Sequence, residues 1–194
     1  MTTKISVSLS AVDEGFLKEL KSKFGDHTRL DIQVVELDED PPLTENEFWD
    51  IIAQLDWEAP SRDEVLHPAV RALAERPLGH IYQFEDILAE KLFHLDTEPH
   101  ATAAYPPPQH ISEDGFLYIR AAVVASGRET YEAVQQDPFQ LPADEDFEPL
   151  LSLAALAYEG KTGKKFDYVS PVSYETYSNK KGWEGNKRKN KKDV

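Results

Sequence analysis

The stretch from Ser112 to Pro138 constrains the fold more than any other part of this sequence. Ser112 and the two acidic residues after it form a helix start, because a serine oxygen caps free backbone N–H groups and carboxylates favour the positive end of the helix dipole. The following residues are apolar on nearly every helical face, interrupted by Arg120 and closed by Gly127. A helix that is apolar all round has to be buried. We therefore predict that it forms the centre of a helical core, followed by a short helix over 128–136.

Further helices are predicted on both sides of this segment. Thr44 and Glu47 have capping-box spacing, which predicts a helix over 45–57. Residues 79–95 carry apolar side chains at helical spacing and predict a second amphipathic helix. A last helix is expected to open at Pro149 and to end at Gly160, with a polar and aromatic arm after it that includes a strand at 166–169. The proline-rich residues 97–110 are predicted to be a loop.

The N-terminal residues have a different pattern. Alternating apolar residues predict strands over 5–9 and 30–34, and the four-residue spacing of Phe16, Leu20 and Phe24 predicts a helix between them, ended by Gly25. Two strands make a poor sheet alone, so a further strand or a partner chain is expected, which allows a homodimer. The predicted fold class is α+β, mainly helical, a multi-helix core with a small N-terminal strand-helix-strand element. The predicted divisions are 1–40, a helical domain with its arm over 41–183, and a flexible basic tail over 184–194.

Charge limits the partners that this chain can bind. The 194 residues include 36 acidic and 21 basic residues, a net charge of −15. Residues 1–179 alone hold 34 acidic and 14 basic residues, so the body repels nucleic-acid phosphates and attracts basic partners. The absence of cysteine excludes disulfides and thiolate chemistry. No apolar run is long enough for a membrane span, and no secretion signal is recognisable at the N-terminus, so a cytoplasmic protein is expected.

Two charged residues interrupt apolar helical faces and are candidates for a site. Glu85 lies at the edge of the apolar stripe of the 79–95 helix, and Arg120 lies inside the most apolar helix. An unpaired buried charge is costly, so one interpretation is a structural ion pair between them. The other is a ligand-binding pocket in which Arg120 binds an anion or carboxylate, with Glu85, Asp114 and Tyr118 around it.

Other possible sites have weaker patterns. Asp86, Glu90 and His94 share one helix face, but that face is opposite the apolar stripe and no second element is seen to supply ligands, so no metal site and no cofactor are predicted. The six histidines show neither zinc-protease nor hydrolase spacing. The aromatic arm after residue 165 either packs on the core or binds a partner. Its candidate partner-binding residues are Tyr174, Glu175, Tyr177 and Trp183.

Three segments resemble one protein family. They are EFWDII (47–52), the acidic–glycine–phenylalanine helix with its internal arginine (114–120), and the ending GRETYEAVQQDP (127–138). In order and spacing they are similar to the uncharacterised bacterial family labelled domain of unknown function 4240, from Leu43 to Pro138. The run Ala121-Ala122-Val123 is smaller than the tryptophan-containing run of many relatives. The resemblance implies a mostly helical bacterial domain, often beside other modules or in mobile contexts, and no particular activity.

The function predicted from these features is non-catalytic. An acidic protein with no catalytic constellation is expected to bind a basic protein, in the manner of an immunity protein or an antitoxin-like inhibitor. The alternative is a small-molecule-binding or enzymatic domain that uses a pocket around Arg120, Glu85 and Asp114. Nucleic-acid binding is unlikely for the acidic body and is left to the basic tail as a third alternative.

Overall fold

The computed structural model describes residues 14–25 and 41–184. The chain forms two compact units, Met1–Glu39 and Asp40–Val194. In the first unit, helix α1 (Glu14–Phe24) ends before Gly25, as predicted. Both strands predicted beside it, over 5–9 and 30–34, lie outside the described residues.

The second unit is built from helices throughout its described part. No strand occurs in the described residues, so the mainly helical character of the predicted fold class is confirmed, whereas the N-terminal strand-helix-strand element is not supported. Short 3-10 turns cover Glu64–Leu66, Pro138–Gln140 and Glu148–Ser152. The α-helices are α2 (Glu45–Ile52), α3 (His67–Ala74), α4 (Leu78–Leu95), α5 (Glu98–Ala104), α6 (Glu113–Ala125), α7 (Arg128–Gln136) and α8 (Leu153–Thr162).

Helix α6 is the centre of the core, as its sequence predicts. Nine of its thirteen residues are buried, because apolar side chains surround the helix axis and neighbouring elements have to cover every face. The longest helix, α4, packs against α6 and α8, and α3 lies along α8. The apolar stripe of α4 is buried as predicted, at Ile81, Phe84, Leu88, Leu92 and Leu95.

The predicted capping box of α2 is present. The Thr44 hydroxyl accepts from the Glu47 backbone N–H at 3.2 Å, and the Glu47 carboxylate accepts from the Thr44 backbone N–H at 2.9 Å. The helix ends at Ile52, five residues before the predicted end. It ends early because the chain tightens into a turn, with the Leu55 N–H bonded to the Ile52 carbonyl at 3.1 Å.

The prediction of a loop over 97–110 is wrong in its first half. Thr97 caps helix α5, and Pro99 occupies the first turn, where a missing N–H costs no helical hydrogen bond. Tertiary contacts hold this short helix, because His100 is buried and its Nε2 lies 3.0 Å from the Val134 carbonyl oxygen in α7. Burial also lowers the pKa of His100.

The C-terminal arm, defined here as residues 163–184, follows α8 without regular structure, so the strand predicted at 166–169 is absent. Its first aromatic side chains pack on α4 and α8. The ring of Tyr82 lies 6.1 Å from that of Phe166 and 4.9 Å from that of Tyr168. The Tyr168 hydroxyl donates to Asp86 at 2.9 Å. The arm therefore covers part of the core, as one of the two sequence interpretations proposed.

The end of α8 provides a stability test with an internal control. Gly160 was predicted to stop the helix but lies inside it, whereas Gly163 ends it in the left-handed region with φ +67°. We expect Gly163→Ala to lower the free energy of unfolding by about 1–2 kcal/mol, because a Cβ disfavours this conformation. A Cβ at Gly160 would lie in open space, so Gly160→Ala should raise the free energy of unfolding by about 0.5–1 kcal/mol, because alanine favours a helix interior more than glycine does. Urea unfolding measures both, and opposite signs are required.

Candidate functional site

Arg120 is the largest fully buried side chain among the described residues. Its Nη1 donates to the Leu92 carbonyl oxygen at 2.8 Å and to the Tyr174 carbonyl oxygen at 3.1 Å. Its Nη2 donates to the Thr176 hydroxyl at 2.9 Å. The guanidinium also lies over the Phe116 ring, with Cζ 4.8 Å from the centroid. Arg120 thus joins α6 to the end of α4 and to the C-terminal arm.

The electrostatic environment of Arg120 is only partly compensated. Its Nε is buried and has no hydrogen-bond partner. Burial lowers the pKa of Arg120 to about 10, against the opposing effect of the Asp96 and Glu175 carboxylates. A guanidinium with this pKa remains charged at neutral pH, so the fold has to hold a buried cation with polar main-chain and hydroxyl groups.

Asp96 anchors the last part of the arm, from Tyr177 to Trp183. It is fully buried directly after α4, and it accepts three hydrogen bonds from the arm. The donors are the backbone N–H of Tyr177 at 3.1 Å, the backbone N–H of Asn179 at 2.9 Å and Nε1 of Trp183 at 2.9 Å. Hydrogen bonds to an ionised acceptor are stronger than those between neutral groups. Asp96 therefore holds the arm in place.

The backbone of the arm is specialised for this contact. Tyr177 has φ +73°, a conformation that side-chain-bearing residues rarely adopt, and its N–H points to Asp96. At Gly182 the arm passes close to the start of α5, where its carbonyl accepts from the Glu98 N–H at 3.0 Å. A Cβ at Gly182 would lie only 2.8 Å from Cγ2 of Thr97. Glycine is thus required at this approach.

The ion pair predicted between Glu85 and Arg120 is absent. Both side chains are buried, but the guanidinium bonds to the carbonyl of Leu92, which lies seven residues, or roughly 10 Å along the α4 axis, beyond Glu85. This interpretation was wrong because the carbonyl oxygens of Leu92 in α4 and of Tyr174 in the arm, together with the Thr176 hydroxyl, bond to the guanidinium in place of a carboxylate.

Glu85 lies in an environment that favours its neutral form. It is 7% exposed, and no hydrogen bond or ion pair to its carboxyl group is found among the described residues. Burial raises its pKa to about 7, with a further contribution from the neighbouring Asp86. The charge of Glu85 in turn raises the pKa values of Tyr168 and Tyr174, although burial is the larger cause for both tyrosines.

The other residues predicted for the pocket are not gathered around Arg120. Asp114 is exposed in the first turn of α6. Tyr118 is half-buried, and its carbonyl accepts from the Phe147 N–H at 3.0 Å. Burial, with nearby carboxylates, raises the pKa of Tyr118. Of the four predicted ligand-binding residues, only Glu85 and Arg120 are buried, and they are not in contact with each other.

The predicted partner-binding residues belong to the anchored arm. Tyr174 is half-buried, bonds to Arg120 through its carbonyl and has a pKa raised to about 12 by burial. The ring of Tyr177 packs on that of Trp183 at 4.4 Å, and Trp183 meets Phe116 edge-on at 6.3 Å. Glu175 alone of the four is exposed. Their intramolecular contacts match the packing interpretation, and partner binding through them stays a prediction.

No metal centre is formed by the described residues. Asp86 is engaged by the Tyr168 hydroxyl, whereas Glu90 and His94 are exposed on α4. Sequence reasoning missed Asp96 and Thr176, the two side chains that fix the arm. An aspartate directly after an apolar helix and before the Thr97 cap was the available signal, but it did not reveal the donors some 80 residues later in the chain.

The described helices, closed by an arm around a buried arginine, define a helical domain with an anchored C-terminal extension. Residues 43–160 match the family described as Protein of unknown function (DUF4240), and the chain belongs to this family. The match begins where the sequence resemblance begins and continues beyond Pro138 into α8. No curated protein and no solved structure is significantly similar to the chain. No described helix is long and apolar enough to cross a membrane.

Asp96→Ala tests the anchoring of the arm. It would leave three donors without their acceptor, and we expect the free energy of unfolding to fall by about 3 kcal/mol. Limited proteolysis should then cut first within residues 163–184. Asp167→Ala, at an exposed position of the same arm, is the control and should leave both measurements unchanged. Unaltered proteolysis of Asp96→Ala would rule out the anchoring role.

Glu85→Gln tests the buried carboxyl group. The folded-state pKa of about 7 lies above the ordinary value of 4.5, so the folded protein binds more protons than the unfolded chain between these values, and Glu85 destabilises the fold increasingly as pH rises. We expect Glu85→Gln to be nearly neutral at pH 4 and stabilising by about 3 kcal/mol at pH 8. Denaturant unfolding at both pH values measures the difference. Glu90→Gln, which changes an exposed carboxylate of the same helix, is the control, and an equal effect of Glu85→Gln at both pH values would contradict the expectation.

Proposed function

We propose that this protein is a non-catalytic interaction protein whose acidic surface binds a basic protein, in the way that an immunity protein or an antitoxin inhibits its target. The observation that carries the proposal is the surface charge of residues 41–184. They hold 26 acidic and 11 basic side chains, and 21 of the 26 carboxylate residues are exposed. A surface of one sign speeds and orients the encounter with a partner of opposite sign.

The carboxylates are largely available to a partner. Ion pairs between described residues engage Glu45, Glu47, Glu132 and Asp146, which leaves most of the exposed acidic side chains facing solvent. Ion pairs at such exposed positions contribute little to stability. Because acidic side chains outnumber basic ones, the carboxylates of the folded protein repel one another, and the binding of a basic partner would reduce this repulsion.

The buried polar groups support a structural use of the interior. The hydrogen bonds of Arg120 and Asp96 go to the helices and the C-terminal arm. Groups used in this way hold a rigid body in shape, and rigid surfaces bind with less loss of conformational entropy than mobile ones.

A small-molecule-binding or enzymatic role around Arg120, Glu85 and Asp114 is the second candidate. The observation in its favour is that Nε of Arg120 is buried without a hydrogen-bond partner and that burial raises the pKa of Glu85 to about 7. Uncompensated polar groups occur at functional sites more often than elsewhere. A bound metabolite in contact with Nε of Arg120 would establish this role in place of the first.

The interaction proposal is tested by capture at controlled salt. The full-length protein, immobilised and exposed to a lysate of its own organism in 0.15 M NaCl, should retain a basic protein. The two proteins, purified and mixed, should form a defined complex whose dissociation constant rises steeply with salt, at least tenfold between 0.05 and 0.3 M NaCl, because screening weakens charge attraction.

A mutant with less negative charge provides the control for this experiment. Asp50→Asn combined with Glu75→Gln and Glu129→Gln neutralises three exposed carboxylates and should slow association while the thermal midpoint stays close to that of the parent. A captured protein of acidic character, or binding that is indifferent to salt, would count against the proposal.

A further inference from the structure

A shallow cleft of about 510 Å³ opens on the larger unit at the end of α6. Its floor is small and partly apolar, with Ala122 from α6, Ser126 directly after α6 and Val65 from the first 3-10 turn. Its walls come from the segment after α2 and from the connector before the 3-10 turn at Glu148–Ser152. The Phe147 N–H donates to the Tyr118 carbonyl at 3.0 Å and so ties this connector to α6.

One wall is an exposed tryptophan. Trp57 is 55% exposed, whereas Trp49 is buried and Trp183 is half-buried. Its ring packs on that of Phe147 with the centroids 5.0 Å apart, and Phe147 is only 3% exposed. Phe147 thus supports Trp57 from below and leaves part of the indole open to the cleft. An exposed, supported indole is a good surface for a cation, because its face carries negative charge.

The rim of the cleft has strong negative charge. Residues 56–64 and 144–148 carry eight exposed acidic side chains and one basic side chain, Arg62. Asp144 and Glu145 line the cleft, and no ion pair to either carboxylate is found among the described residues. A cation entering here would be attracted by the whole rim, and it would contact carboxylates that have no competing partner.

Arg62 shows that the cleft already accommodates a guanidinium. Its Nη2 donates to the Asp146 carboxylate at 2.6 Å and also to the Asp146 carbonyl, and its Cζ lies 5.9 Å from the Phe147 centroid. The Arg62 side chain is nevertheless 57% exposed. It uses Asp146 and Phe147 and leaves Trp57, Asp144 and Glu145 for a second cation.

We infer that this cleft binds an arginine side chain from an exposed basic segment of a protein partner. The guanidinium would lie on the free face of Trp57, as Arg62 lies by Phe147, and would donate to Asp144 or Glu145. Arginine fits better than lysine because a planar guanidinium can stack on an aromatic ring and donate to a carboxylate at the same time. The inference rests on the proposed function and names the chemistry that the partner has to present.

The probe is a short peptide, Gly-Arg-Gly-Arg-Gly, acetylated and amidated, added to the full-length 15N-labelled protein in 0.15 M NaCl. The indole N–H resonance of Trp57, assigned with Trp57→Phe, should shift and saturate, whereas those of Trp49 and Trp183 should stay in place. Trp57→Leu is expected to weaken binding about twofold to fivefold. The same peptide with glutamate should leave the spectrum unchanged, and the lysine peptide should bind more weakly.

Matched variants separate the cleft from general charge. Asp144→Asn with Glu145→Gln should weaken peptide binding, whereas Asp50→Asn with Glu129→Gln removes equal charge elsewhere and should not. Phe139→Leu changes an aromatic residue that is 84% exposed outside the cleft and should also have no effect. Equal weakening by the two charge pairs, or lysine binding as tight as arginine binding, would overturn the inference.

The partner captured in the salt-controlled experiment separates the two proposals. Loss of partner binding in Trp57→Leu and in the Asp144–Glu145 variant supports the cleft. A partner that binds both variants as tightly as the parent would overturn the cleft and leave the acidic-surface proposal intact. If no basic partner is captured, the proposed function fails, and the peptide titration still decides whether the cleft recognises arginine.

Discussion

The burial of the Arg120 guanidinium is the constraint on which the rest of the described structure depends. An arginine removed from water without hydrogen bonds would cost several kcal/mol, so the fold has to bring acceptors to it. Only the Leu92 carbonyl comes from a helix that packs on α6, and the other two acceptors belong to the C-terminal arm. The arm is therefore part of the core in energetic terms, although it has no regular secondary structure.

Asp96 complements Arg120 without forming a direct ion pair with it. The carboxylate organises three donors of the arm, and its charge opposes the depression of the Arg120 pKa. Arg120 lies inside the family-matched residues 43–160, whereas its partners Tyr174 and Thr176 lie beyond them. In this chain, a segment outside the match thus completes the hydrogen bonding of a buried residue inside it.

The distribution of acidic side chains separates structure from recognition. Glu85 and Asp96 are the buried carboxylates among residues 41–184, and each affects stability through its own environment. The exposed majority contributes little to the fold, since surface charges interact weakly through water. Exposed acidic side chains are concentrated at the cleft beside Trp57, so this part of the surface combines negative charge with a defined shape. A uniformly negative surface without such a shape would not discriminate among basic proteins.

Features that depend on interactions between residues close in the sequence could be predicted from it, whereas features that depend on long-range contacts could not. The capping box at Thr44, the buried stripe of α4 and the all-round burial of α6 depend on residues within one or two helical turns, so periodicity and capping chemistry predicted them. Helix α5 and the anchoring of the arm depend on residues far apart in the chain, such as His100 with Val134 and Asp96 with Trp183. Sequence identified Arg120 and Glu85 as charges that the interior would have to accommodate. Only the tertiary structure decided that they would not pair, because main-chain carbonyl oxygens accept hydrogen bonds from the guanidinium. The positions of such carbonyls cannot be predicted from a pattern of side chains.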